Sequence, residues 1–170
     1  KGTLEIVTRI KLLMNELNID EDIIKPRKKA LEKSSKENCV VVSIEVGKKI
    51  ITGKESSLLS APSALIINAM KTLSKIPDNI ELLAPNILAP ILRLKGNGNP
   101  LQLNEILIAL SINSVTNPMV GNALYKLDKL KGTTAHSSHI ITNGDAKALK
   151  ELGINLTCEP VFKTNNLYKN

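Results

Sequence analysis

Apolar residues recur along this chain in two rhythms, one helical and one nearly continuous, and their alternation predicts a layered α/β domain. In residues 4–17, Ile6, Ile10, Leu13, Met14 and Leu17 fall at helical spacing and form one apolar stripe. Pro26 suits the first turn of a second helix, running to about residue 35, because its missing N–H does no harm there. Residues 39–46 (CVVVSIEV) are rich in β-branched side chains and almost unbroken in apolar character, the pattern of a central strand. Gly47-Lys48 predicts a tight turn and Ile50-Ile51-Thr52 a returning partner, so the sheet should contain a hairpin.

Ser60 is placed to cap a helix opened by Pro62, whose buried face is Leu65, Ile66, Ala69, Met70 and Leu73. Residues 80–84 (IELLA), stopped by Pro85, read as a short buried strand, which would complete a strand–helix–strand unit. Helices follow over 86–94, with Pro90 inside, over 102–115 and over 119–130; the Gly- and Asn-rich stretch 95–100 is a loop. Residues 133–142 read as a strand, Asp145 as the cap of a helix over 146–152 ended by Gly153, and 154–158 as the last strand. The polar tail 163–170 should be loosely held. The fold class expected is α/β, a three-layer α/β/α sandwich with a mixed sheet of about five strands. Residues 1–37 form a helical connector to a preceding region, and 38–170 the α/β unit. Lys1 falls inside a helical pattern, so the sequence reads as a piece of a longer protein.

Composition sharpens this in three ways. One Phe, two Tyr and no Trp leave burial to aliphatic side chains. The distant pair Cys39 and Cys158 reads as two reduced core thiols. With no apolar run of membrane-spanning length and no leader pattern, a cytoplasmic location without membrane contact is expected. The net charge of +7 gathers at Lys25, Arg27, Lys28, Lys29, Lys33 and Lys36. That stretch has no aromatic side chain for base stacking, so it reads as a solvated helix face or phosphate-binding patch, and nucleic acid is a disfavoured partner.

Two groups could carry chemistry. Thr52-Gly53-Lys54-Glu55-Ser56-Ser57 lies between a strand end and a helix start, where free N–H groups, a lysine and hydroxyls favour an anion. Thr52, Gly53, Lys54, Ser56 and Ser57 are therefore an anion-binding candidate for a phosphate-containing small molecule, although the spacing is not that of a P-loop. His136 and His139 are weak catalytic candidates as single acid/base groups. On one strand, positions three apart face opposite ways, which argues against a metal pair. No metal site and no cofactor is expected, no nucleophile elbow is present, and whether the chain is an enzyme stays open.

The strings DIIKPRKKALEK (22–33), LIALSINSVTNP (107–118), AHSSHI (135–140) and LGINLTCEP (152–160), with the hairpin ending in Thr52-Gly53-Lys54, resemble the C-terminal third of the bacterial domain-of-unknown-function 1846 family. The resemblance implies a multidomain cytosolic protein whose C-terminal α/β subdomain is similar in topology to the cytidine-deaminase-like fold. It brings no deaminase activity, because the Cys-x-x-Cys zinc signature is missing. A structural and oligomerising subdomain, partnered by the N-terminal region and by further copies of itself, is the leading expectation. The helices over 103–110 and 119–130 are its expected interface, and a nucleotide- or phosphate-handling site is the alternative.

Overall fold

The computed structural model of the chain describes residues 2–19, 23–96 and 98–163. In chain order its elements are α1 (Gly2–Glu16), α2 (Lys25–Glu37), β1 (Val41–Val46), β2 (Lys49–Lys54), α3 (Ala61–Ser74), α4 (Pro85–Lys95), α5 (Leu103–Ser114), α6 (Pro118–Tyr125), β3 (Thr134–Ser137), α7 (Asn143–Glu151) and β4 (Asn155–Cys158). A 3₁₀ segment, Lys126–Leu130, continues α6. The single helix expected over 119–130 is thus split.

The sheet is mixed, in the order β2-β1-β3-β4. β1 pairs antiparallel with both β2 and β3, and β3 pairs parallel with β4. The CVVVSIEV run is therefore interior to the sheet. Its hairpin turns at Gly47, whose φ of +60° is open to glycine at little cost.

Among the described residues the sheet has four strands, not about five. Residues 80–84 form an irregular segment between Pro77 and Pro85. Leu82 and Leu83 are buried, but the Leu82 carbonyl accepts from the Asn113 side chain at 2.9 Å, not from a neighbouring strand. A short apolar run signals burial; it does not say whether the backbone finds a ladder. The strand expected over 133–142 likewise ends at Ser137. Asp145 is not the cap of α7: Thr142 Oγ1 accepts from Asp145 N at 3.2 Å. Asp145 Oδ1 instead accepts from Leu103 N at 2.7 Å, capping α5 across the fold. Asn97 and residues 164–170, parts of the expected loop and tail, lie outside the described residues.

Helices cover both faces of the sheet, and the two coverings differ in kind. Val42 and Ile44 of β1, Ile51 of β2 and Ala135 of β3 face α3, packing with Leu65, Ile66 and Met70 and, behind them, Ile106 and Leu110 of α5 and Leu149 of α7. Each Val, Leu, Ile or Met among these contributes about 1.5–3 kcal/mol by leaving water. Gly53 is required on this side. A Cβ there would stand 2.1 Å from Leu65 N, so β2 and α3 meet backbone to backbone. On the other face lies α2, against β1, β2 and β3. Val41, Ser43 and Glu45 alternate toward it, and Ser43 Oγ donates to the Pro26 carbonyl.

α1 stands apart. Ile6, Ile10, Leu13 and Leu17 of its predicted stripe are each half or more exposed. On the helices expected to form an interface, Leu103, Ile106, Leu110, Val120, Ala123 and Leu130 are buried in this chain's own core, while Ile108 and Tyr125 are exposed. Both cysteines are free; Cys39 is half-buried, while Cys158, expected in the core, is exposed on edge strand β4.

Candidate functional site

The registers Val41↔Lys54, Val42↔Ser137 and Ser137↔Cys158 bring the carboxyl ends of β2, β3 and β4 to one edge of the sheet. Open α/β sheets bind ligands at such an edge. A cleft of about 280 Å³ there is lined by the starts of α3 (Ser60, Ala61), α5 (Gln102) and α7 (Thr142). The positive ends of these helices already face an anion of the protein's own, the Asp145 carboxylate. Burial pushes the Asp145 carboxyl above its usual range, with the Leu103 N–H opposing.

A second cleft, of about 270 Å³, shares Val40, Glu55 and Lys163 with the first and adds Cys39, Ser56 and His139. Ser138 Oγ accepts from Val41 N at 3.0 Å and lies 2.9 Å from His139 Nδ1. Glu55 and Lys163 form an ion pair.

The structure does not gather the five anion-binding candidates around one point. Thr52 Oγ1 accepts from Lys33 Nζ at 2.7 Å under α2, and the Thr52 carbonyl accepts from Asn68 Nδ2 at 2.8 Å. Gly53 is committed to packing on α3. Lys54 pairs with Glu37 at 2.9 Å, which holds the lysine above and the carboxyl below their ordinary values. Ser56 Oγ accepts from Leu58 N and Leu59 N at 3.2 and 3.1 Å and lines the second cleft. Ser57 is exposed.

His136 is buried on the α2 face, opposite Ser43 and Thr157. Its Nδ1 is 2.7 Å from Thr157 Oγ1 and its Nε2 3.1 Å from Glu159 Oε1, which also accepts from Arg27 Nε at 2.6 Å. Burial pushes the imidazole below its ordinary value while Glu159 opposes; the Arg27 guanidinium holds the Glu159 carboxyl low. An ionised Glu159 carboxylate only accepts, so Nε2 is the donor to it. The sequence offered a faint signal for Glu159, a carboxylate directly after a strand, and none for Arg27, which reads as one more surface cation 132 residues away. Among the described residues no three His, Cys, Asp or Glu side chains gather as a metal set, and no helix is long and apolar enough to cross a membrane.

Residues 21–168 match the family model described as "Domain of unknown function DUF1846, C-terminal". Similar curated proteins include UPF0371 protein FN1121 of Fusobacterium nucleatum, 51% identical over 127 residues that cover 72% of this chain and 25% of the relative. UPF0371 protein CLL_A2797 of Clostridium botulinum is 41% identical over 180 aligned positions, 98% of this chain and 36% of the relative. UPF0371 protein CD630_08980 of Clostridioides difficile is 38% identical, over 94% of this chain and 35% of its own length. The chain thus spans roughly a third or less of these relatives. With most of its length matched by the family model, and relatives well above 30% identity along almost all of it, the chain belongs to the DUF1846 family, to the C-terminal domain of the UPF0371 proteins.

Proposed function

We propose that this chain is the C-terminal structural module of a longer, cytoplasmic DUF1846 protein, which seats on the N-terminal remainder or on a second copy and walls one side of a site that the remainder completes. The apolar stripe of α1 carries the reading: Ile6, Ile10, Leu13 and Leu17 are aliphatic and exposed, and a helix with one apolar face is built to pack on something. The greater length of the relatives supports a partner within the same protein. Light scattering is the test. The isolated chain should self-associate through this stripe, and I10D/L13D should make it monomeric; a clean wild-type monomer would remove the second copy as its seat. The cytidine-deaminase-like layering implied by the resemblance is part of the same proposal, supported by helices on both faces of a mixed sheet.

A second reading, a phosphate- or nucleotide-type ligand in the strand-end cleft, is favoured by one observation: Ser56 of the loop and His139 line the same cavity, beside Lys163. Titration of the His139 imidazole signals with inorganic phosphate tests it. Saturable shifts lost in S56A support it, and unchanged signals refute it.

A further inference from the structure

We infer a separate binding site for a phosphate-type anion on the opposite side of β2, in the cleft between α2 and this edge strand, formed by Lys29, Lys33 and Lys36 with the Thr52 hydroxyl. The cleft is about 310 Å³ and is lined by these four residues together with Glu32 and Glu37. Positions 29, 33 and 36 are four and three apart, so on helix α2 they share one face.

The unmatched charge is what points to a ligand. Three other cations of this layer have carboxylates: Lys25 has Glu45, Arg27 has Glu159 and Lys54 has Glu37. Lys33 is half-buried, and its ammonium donates to a neutral acceptor, Thr52 Oγ1, at 2.7 Å. Among the described residues no carboxylate lies within ion-pair distance of it. An ammonium has three protons to give, so two remain for a ligand. Because Thr52 Oγ1 accepts from Lys33, its own hydroxyl proton can also be given to an incoming oxygen. Glu37 is neutralised by Lys54, which leaves three lysines against Glu32 and an excess of two positive charges. A dianionic phosphate or phosphate ester matches that excess. The absence of aromatic side chains on α2 favours a small phosphorylated molecule over a nucleic-acid strand.

The test is an amide-resolved NMR titration of the protein with inorganic pyrophosphate at constant ionic strength. Saturable shifts should be confined to α2 and the backbone around Thr52. K33M should weaken binding at least tenfold, and T52V several-fold, while K33R stays within a few-fold of wild type. K29A/K36A leaves the Lys33–Thr52 bond intact and should also lose tenfold, which covers the case of a poorly folded K33M. Shifts that fail to saturate, that persist unchanged in K33M and in K29A/K36A, or that spread equally to Lys147 and Lys150 on α7 would overturn the site. A duplex oligonucleotide binding more tightly than pyrophosphate, with shifts extending to Lys25 and Lys28, would overturn its assignment to a small ligand. S56A and the His139 signals should not respond, so this site stands or falls independently of the strand-end cleft.

Discussion

The two faces of one sheet differ in how much polar material they carry. Toward α3, every inward position of β1 and β2 is aliphatic or glycine: Val42, Ile44, Ile51 and Gly53. Toward α2, the same strands present Ser43, Glu45, Thr52 and Lys54 beside the aliphatic Val41 and Ile50, and the neighbouring strands present His136 and Thr157. The first face is fixed by area removed from water, which is non-directional and strong in sum. The second is fixed by directed pairs: Ser43 to the Pro26 carbonyl, Lys33 to Thr52, Arg27 to Glu159 and on to His136, and Lys54 to Glu37. Each such pair adds little net stability, because the groups give up water to meet. A domain seeking only stability would place aliphatic residues on both faces. The polar face therefore holds its helix partly by direction, and the apolar face by area.

Substitutions should separate the two faces by size of effect. Leu65→Ala empties a fully buried position against β2 and should cost about 2–5 kcal/mol in urea denaturation. Gly53→Ala drives a Cβ into the α3 backbone and should cost about 3 kcal/mol, unless the helix is displaced. On the other face, Glu159→Gln leaves Arg27 and His136 without their shared carboxylate and should cost about 2 kcal/mol. Lys54→Met breaks an exposed pair with Glu37 and should change stability by less than about 1 kcal/mol.

Acid should act on the polar face first. The folded state holds His136 below its ordinary value of about 6.5, so the unfolded chain binds the proton more readily. That contribution is complete above pH 6.5 and is lost as pH falls from there through the folded value. Glu159, held below about 4.5, adds a second loss beneath that pH. Urea midpoints should therefore decline from pH 7.5 to pH 5.5, and His136→Gln should flatten that part of the profile. An identical slope in His136→Gln would place the effect elsewhere.

The apolar face could be read in advance because its signal is local. The β-branched run of β1, the period of α3 and the Ser60 cap each declare themselves within a few residues. The polar face could not, since its pairs join residues far apart: Lys33 with Thr52, Arg27 with Glu159, His136 with Thr157 and Glu159. The basic residues of α2 look like a solvated surface until the sheet beneath them is seen to be polar. The Thr52–Ser57 string was legible as polar and strand-terminal, but alternation along β2 sends its side chains to different faces, which composition alone does not reveal. Residues 80–84 misled because prolines on both sides and two buried leucines fit a strand and a pinned loop equally well.

Amide hydrogen exchange at low and at high salt tests the contrast most directly, since salt weakens partly exposed charge pairs and leaves apolar burial in place. Protection along α2 (Lys25–Glu37) should fall several-fold at high salt, while α3 (Ala61–Ser74) stays unchanged or gains. Equal responses in the two helices would contradict the account.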